Sequence, residues 1–576
     1  MKSMNTMNKK NSKNKSSSIN VKEQNSAMVS DSKKWFQSGS PWVWLSAAGV
    51  SISLISVLGL LWLIASRGLS YFWPATIYQF EVNDLQGKNH TVIGEIYDRE
   101  SIPVSQLAHS NMVFSAETKM VERILVKTGN RELVNLDFRW LLVPQITKTT
   151  TPKNVVVIER RTNGNFYGFI ENVILSGKEV GKDKLTELVT RVDDFQDQIE
   201  TLQKSDIGAI NYQLERLRLK EKKLKINHEL TSTKQAEIDG EIVNLQSEYK
   251  KLEQHLMALR KQVARDQMIV KTMSGKTTTI DLENVLSVSF ANQLTLVDKV
   301  GVFIEKIGHF ISDDPREANT EGGVFPAIFG TVLMVLLMTV IVSPFGVIAA
   351  IYLHEYAGNN ALTKMLRIAV INLAGVPSIV YGIFGLGFFV YVLGGSIDAL
   401  FFPETLPSPT FGTPGVLWSA ITLAILTLPV VIVSTEEGLA RIPASMRHGS
   451  LALGATKVET LWRIILPIAS PAIMTGIILA IARAAGEVAP LMLVGVVKMA
   501  PTLPLDGNFP FLHLERKFMH LGFHIYDVGF QSPNVEAARP LVYATALLLV
   551  TIIVALNMSA VSIRNKLREK YRALEH

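Results

Sequence analysis

The sequence predicts an α-helical polytopic membrane protein with six spans and a large insert that combines β-structure with a coiled coil. Three observations predict it. Of the 576 residues, 48% are hydrophobic, and they concentrate in six charge-poor runs. Each run is long enough to cross a bilayer, which takes ~20 residues. Residues 67–323 separate the first two runs, and there short β-branched stretches give way to heptads.

The elements follow in chain order. Residues 1–41 form a basic tail with eight lysines: Lys2, Lys9, Lys10, Lys13, Lys15, Lys22, Lys33 and Lys34. The first span lies at 42–66, its apolar run being Trp42–Ala65. That run is too long, and too far into the chain, for an ordinary cleavable signal peptide. The remaining runs are Val324–Ile351, Ile368–Leu393, Val416–Val433, Ile468–Val497 and Leu541–Ile563, a five-helix core over 324–563. A second basic tail fills 564–576. Basic residues beside span ends stay in the cytoplasm, so both tails read as membrane flanks rather than nucleic-acid arms. An even number of spans puts both termini on that one side. The insert 67–323 is then extracytoplasmic, while His354–Arg367 and Thr435–Arg463 face the cytoplasm.

Within the insert, strands are expected at His90–Tyr97, Val121–Lys127, Asp137–Val143, Asn154–Glu159 and Asn165–Val173, with turn-forming Gly, Asn and Pro between them. Near Lys182 the period changes. Leu185, Leu188, Val192, Phe195, Ile199 and Leu202 recur at steps of three and four. So do Ile238, Ile242, Leu245, Tyr249, Leu252, Leu256, Leu259 and Val263. These are heptad seams, and they predict an antiparallel coiled-coil hairpin over about 182–270 with its tip at Leu230–Thr233. Seams that bury against each other should make the hairpin a separate unit. Ile280–Phe290 reads as a returning strand.

Several chemistries are excluded. There is no cysteine, hence no disulfide, thiol catalysis or cysteine metal site. The histidines lack metal-ligand spacing. Ser274-Gly275-Lys276-Thr277 imitates the end of a P-loop, but Val270 stands where its first glycine must be. No catalytic constellation emerges, so the chain is not expected to be an enzyme, and no cofactor is expected.

The fifth run carries Arg483 and Glu487 among small neighbours (Ala480, Ala482, Ala484, Ala485, Gly486). Ionisable groups at membrane depth are costly and mark a transport path or a partner. Positions i and i+4 share a helix face, although arginine first is the less favourable order for a mere neutralising pair. Arginine offers a planar donor fork suited to a tetrahedral oxyanion. A glutamate beside it suits an anion that still carries a proton. Phosphate near neutral pH does, and sulfate does not.

Met446–Gly476 holds a spacing with a function attached. Gly454 is followed by nine residues and then Ile464-x-Leu466-Pro467. Gly454 can take positive φ cheaply, which suits a sharp reversal, and Pro467 is expected to restart a transmembrane helix at its first turn. The stretch resembles the EAA loop of ABC importer permeases, with His448-Gly449-Ser450 in place of Glu-Ala-Ala. Four further blocks, ARAAGEVAPL, GVIAAIYLHEYA (Gly346–Ala357), NLAGVPSIVYGIFG (Asn372–Gly385) and LPVVI (Leu428–Ile432) followed by Glu436, are similar to phosphate importer permeases of the PstA type. Members of that family often have an arginine after LPVVI, and this chain has Val433.

The resemblance implies an ABC importer type I permease fold and a multi-pass protein of the bacterial inner membrane. It implies pairing with a second related permease and with an ABC ATPase subunit that hydrolyses ATP. It also implies delivery by an extracytoplasmic phosphate-binding protein. The coupling loop would be 435–467, with Ser450, Gly454, Ala455, Leu466 and Pro467 at the ATPase, and Arg483 and Glu487 would line the substrate path. Two other readings compete. A permease for sulfate or molybdate gains little from Glu487. A membrane receptor or scaffold built on the external coiled coil calls for a cytoplasmic signalling domain, and the longest internal cytoplasmic segment is only Thr435–Arg463.

Overall fold

Six helices among the described residues are long and apolar enough to span a membrane. The computed structural model describes residues 38–83, 89–107, 119–134, 137–358, 360–532 and 535–571. The tail lysines Lys2 to Lys34, and Arg572 at the other end, lie outside them. Contacts divide the chain between Arg67 and Gly68. Most of the first spanning helix, α1 (Ser40–Ser70), belongs to the first part.

The soluble part of 68–323 begins with two antiparallel sheets. In the first, β1 (Ile77–Asn83), β2 (Asn89–Pro103), β3 (Met120–Lys127), β4 (Phe138–Leu142) and β5 (Ile146–Thr150) take the order β4-β3-β2-β1-β5. The second sheet uses β6 (Val156–Arg160) and β7 (Phe166–Leu175), with β8 (Lys178–Val180) beside β7. The chain then leaves as a helical hairpin. One arm is α2 (Leu185–Thr201), a π-helical turn and α3 (Gly208–Ile226); the other is α4 (Ser232–Val263). Thr231 caps α4 by accepting from the Lys234 amide at 3.4 Å. On its return the chain completes the second sheet with β9 (Gln267–Lys271), β10 (Thr277–Asp281) and β11 (Val285–Ser289), in the order β10-β9-β7-β6-β11.

Three expectations for the insert are corrected. The coiled coil does not reach Val270. Gln267–Lys271 is a strand paired with both β7 and β10, and Met268 and Val270 alternate into the core. Nor is the hairpin a separate unit. Leu185, Leu188, Val192, Leu256, Leu259 and Val263 share one core with Val156, Ile158, Phe166 and Met268. The heptad positions are apolar as read, but at the root they meet a sheet rather than only each other. Ile280–Phe290 is also not one strand: a 3-10 turn at Leu282–Asn284 separates β10 from β11. Ser274–Thr277 belongs to the β9–β10 turn, where Gly275 has φ +80.

An amphipathic helix, α5 (Leu296–Ser312), leads toward the membrane part, capped by a Thr295–Asp298 capping box. At the junction Glu317, Ala318 and Asn319 have φ of 46, 54 and 77, a left-handed run that non-glycine residues adopt only under constraint. The constraint is visible on both sides. Glu317 accepts from the Asn163 amide at 2.5 Å, and the Asn319 side chain donates to the Lys498 carbonyl at 2.8 Å.

The membrane helices are α6 (Phe325–Tyr356), α8 (Ser378–Phe401), α9 (Val416–Ala440), α11 (Lys457–Ala485) and α12 (Val535–Tyr571), with α7 (Ala361–Leu373) and α10 (Ala444–Ala452) between them. The third apolar run is cut. Its first residues, 368–373, belong to α7, and the helix resumes only after Pro377, which has no amide to continue it. The fifth run is shifted. Thr456 and Glu459 form a capping box that starts α11 early, and the helix stops at Ala485. Pro467 does stand in the first turn of an α-helical stretch, Leu466–Ala485, but that stretch continues an existing helix. It sits inside α11 just after a π-helical turn, Leu461–Ile465, whose wider winding relieves the clash with a preceding carbonyl. Glu436 and Glu437 lie within α9 rather than in a loop. Close packing rests on small residues: a Cβ on Gly476 of α11 would lie 2.7 Å from the Ser434 Cβ of α9.

Candidate functional site

Two groups of singled-out residues lie at opposite ends of α11. At the start, α10 and α11 form a helical hairpin. Gly454 makes the reversal with φ +87 and has open space around it, so any side chain there is strained by the backbone rather than by neighbours. The Ala455 amide closes the turn on the Ser450 carbonyl at 3.2 Å. Ser450 is buried, and its hydroxyl meets that of Thr460 at 2.8 Å, joining the two helices. Leu466 and Pro467 are half-buried within α11 and do not meet Gly454.

Residues that the sequence reading passed over hold this hairpin in place. Arg447 sets Nε and Nη2 against one oxygen of Glu355, at 3.1 and 2.9 Å, and also donates to the carbonyls of Ile442 and Leu439. Lys457 donates to the Glu355 carbonyl at 2.5 Å and lies 4.3 Å from the Tyr356 ring. Glu355 belongs to the end of α6, so the hairpin is clamped to a spanning helix. The glutamate was visible within GVIAAIYLHEYA, but its partner was not. Leu453 is 91% exposed and Trp462 70%. Apolar groups on a rigid, clamped turn form a surface suited to a partner protein.

At the other end, Arg483 lies roughly 24 Å beyond Pro467 at 1.5 Å per residue. It is not followed by a helical Glu487 on the same face. α11 ends at Ala485, and Glu487 lies in the non-helical segment Gly486–Pro490. The two side chains still approach, with Nε and Oε1 3.7 Å apart, and both stay partly open. The second helix interruption packs alongside. A Cβ on Gly382 of α8 would lie 2.7 Å from the Pro490 Cα. Tyr381 donates to the Leu373 carbonyl at 2.6 Å, bridging the break at Ala374–Pro377. Irregular backbone at this depth is tolerated where it is buried in protein or lines a cavity.

Six apolar helices, two of them followed or preceded by a break beside a charged pair, define a polytopic membrane transport component. The family model "Binding-protein-dependent transport system inner membrane component" matches residues 342–570. The chain is 35% identical over 245 residues to "Phosphate transport system permease protein PstA 1" of Mycobacterium tuberculosis (strain CDC 1551 / Oshkosh), covering 42% of this chain and 71% of the relative. It is 34% identical to a PstA of Yersinia pestis, covering 44% and 75%, and 31% identical to a probable PstA of Methanocaldococcus jannaschii, covering 41% and 74%. Among solved structures, an inward-facing MetNI methionine ABC transporter aligns with 94% of its chain and 42% of this one, at 16% identity and a TM-score of 0.32. The chain belongs to the binding-protein-dependent permeases of ABC importers. It is a multi-pass inner-membrane transport component, in a family whose ATP hydrolysis is carried by a separate subunit and whose substrate is brought by a binding protein.

Proposed function

We propose that this chain is the permease subunit of a phosphate importer, with Arg483 and Glu487 in the translocation path. The observation that carries the reading is the pair itself. A guanidinium and a carboxylate stand 3.7 Å apart, partly open, beside two interrupted helices. The guanidinium supplies a fork of donors to a tetrahedral anion. The carboxylate accepts the proton that phosphate carries, and it leaves sulfate facing a like charge. The names of the relatives support the same substrate.

In this reading the 435–467 segment faces the cytoplasm. The α10–α11 turn with Ser450, Gly454 and Ala455, followed along α11 by Leu466 and Pro467, transmits the ATPase stroke through the Glu355 clamp to α6. Both termini are cytoplasmic, and 68–323 lies outside with the phosphate-binding protein. A second, related permease completes the path on the open side of Arg483.

Phosphate uptake by cells carrying single substitutions tests it. Arg483→Gln should lower uptake at least about 100-fold, as removal of a charged anion contact costs ~3 kcal/mol or more, while the ATPase still copurifies. Glu487→Gln should keep uptake within about tenfold and let sulfate compete. Normal uptake by Arg483→Gln would sink the proposal. An Arg483-dependent uptake of sulfate or molybdate, with phosphate ignored, would move the chain to another oxyanion.

A further inference from the structure

We propose that α5 lies in the membrane surface on the side that carries the soluble domain, with one face among lipid acyl chains. The face is defined by exposure. Leu296, Val297, Val300, Ile304 and Ile311 are all exposed, Val297 at 81% and Leu296 at 75%. At 100° per residue these five side chains fall within a single arc of about 100°. Exposed apolar groups gathered this way on a folded helix call for an apolar partner.

The neighbours of the helix say which partner. Ile307, at the edge of that arc, and Phe303 and Phe310 beside it pack with Phe72, Val324, Ala327 and Leu541. Phe72 follows the first span, Val324 and Ala327 begin α6, and Leu541 lies in the first turns of the last span. A helix resting on the ends of three spans sits at the level where the membrane surface must be. The outward apolar side chains of α6, from Phe325 to Val340 and Phe345, continue below it.

The roll of the helix is fixed from above. Lys306, on the opposite face, pairs with Glu159 of β6 at 2.7 Å. Asp298 is held in the capping box, and His309 lies 3.2 Å from Asp313. The polar face therefore meets the soluble domain at Lys306 and is otherwise open to water, and the exposed apolar arc points away from that contact. Tyr71 and Trp73 flank the arc, partly exposed, with Trp73 5.8 Å from Phe303 and Tyr71 6.5 Å from Phe310. Amphipathic rings of this kind mark the headgroup level. Trp73 also lines an apolar groove of about 450 Å³ with Leu69, Ser70, Ala75 and Phe303. Helices with this division of faces lie in the interface plane with the apolar side sunk ~5–10 Å. The soluble domain would thus be seated on the bilayer and not only tethered through α1 and α6.

The absence of cysteine allows a direct test. Single variants of the full chain, Val297→Cys, Ile304→Cys, Glu305→Cys and His309→Cys, are spin-labelled in vesicles of phosphatidylethanolamine and phosphatidylglycerol. Collision rates with oxygen, which concentrates in lipid, and with a water-soluble nickel chelate are then compared. Labels at 297 and 304 should favour oxygen several-fold, and labels at 305 and 309 should favour the chelate. Chelate preference at 297 and 304 would place the face in water and overturn the proposal. Low collision with both reagents would overturn it too, since the face would then be covered by protein, whether a second permease or the binding protein. Val300→Cys, on the same arc, repeats the measurement if either of the first two variants fails to insert.

Discussion

The root and the tip of the helical hairpin are held by different physics. At the root, apolar side chains of both arms enter the core of the second sheet, and Val192 and Val263 are fully buried. The carboxylate of Asp266 is buried there too, tied to Arg191, to Arg265 at 3.1 Å and to the Ser176 amide. Nearer the tip, α3 runs along two loops of the membrane part through hydrogen bonds, an ion pair and ring contacts rather than a shared apolar core. Tyr212 donates to the Phe509 carbonyl at 2.6 Å and meets the His513 ring edge-on at 5.6 Å. Lys222 donates to the Leu406 carbonyl, and Lys223 pairs with Glu404 at 3.3 Å. The receiving loop is itself braced. Burial alone would raise the pKa of Asp506, but hydrogen bonds and charge from Arg516 hold it down to about 2. The same hairpin arm, α2 followed by α3, is therefore welded at its root and latched nearer its tip. Hydrophobic burial in a shared core is worth several kcal/mol per site, whereas exposed hydrogen bonds are worth ~1 kcal/mol each.

That contrast can be broken from either end. Val192→Asp places an unpaired charge in the root core and should destabilise the soluble domain by at least about 3 kcal/mol. Limited proteolysis of the purified full chain should then cut within residues 77–312 at a temperature where the parent resists. Equal resistance would show that the root is not part of the core.

A smaller effect is expected from Lys223→Glu, which sets two like charges together beside the buried side chain of Glu404. Hydrogen exchange in residues 403–408 and 506–513 should rise about tenfold, while Val156–Ile158 stays unchanged. A simultaneous change in both regions would mean that root and tip act as one piece.

Tyr212→Phe should have the mildest effect. It removes one hydroxyl and leaves the ring against His513, so exchange in 506–513 should rise roughly fivefold, as loss of ~1 kcal/mol implies. No change there would leave the latch to the lysines alone.

Much of the site was legible one residue at a time. Gly454 was read as a turn because only glycine takes positive φ cheaply, whereas the break before Pro377 fell inside a run read as one span. Arg483 stood out as an ionisable group in an apolar run. The partners were not legible, because Arg447 and Glu355 are 92 positions apart and no local period links them. The hairpin range of about 182–270 that the heptads predict takes in β9, which stands between β7 and β10 in a sheet.

The sequence by itself determined the six apolar segments, because apolarity is a property of neighbouring residues, but it misplaced the bounds of the third and fifth helices. It also determined that the hairpin arms have an apolar stripe. Only the tertiary structure decided what each stripe meets. α9 and α12 are comparably apolar, yet two thirds of the most apolar stretch of α9 is buried and almost none of that of α12. α9 presents Ser419, Ala420, Thr422 and Ala424, which let other helices approach, whereas α12 presents Leu547, Leu548, Leu549 and Ile552. Likewise Glu487 reaches Arg483 across the end of a helix rather than along one. Hydropathy reports a preference for leaving water, and that preference is satisfied equally by lipid, by a sheet or by another helix. The choice among them is made by shape and by contacts between residues far apart in the chain.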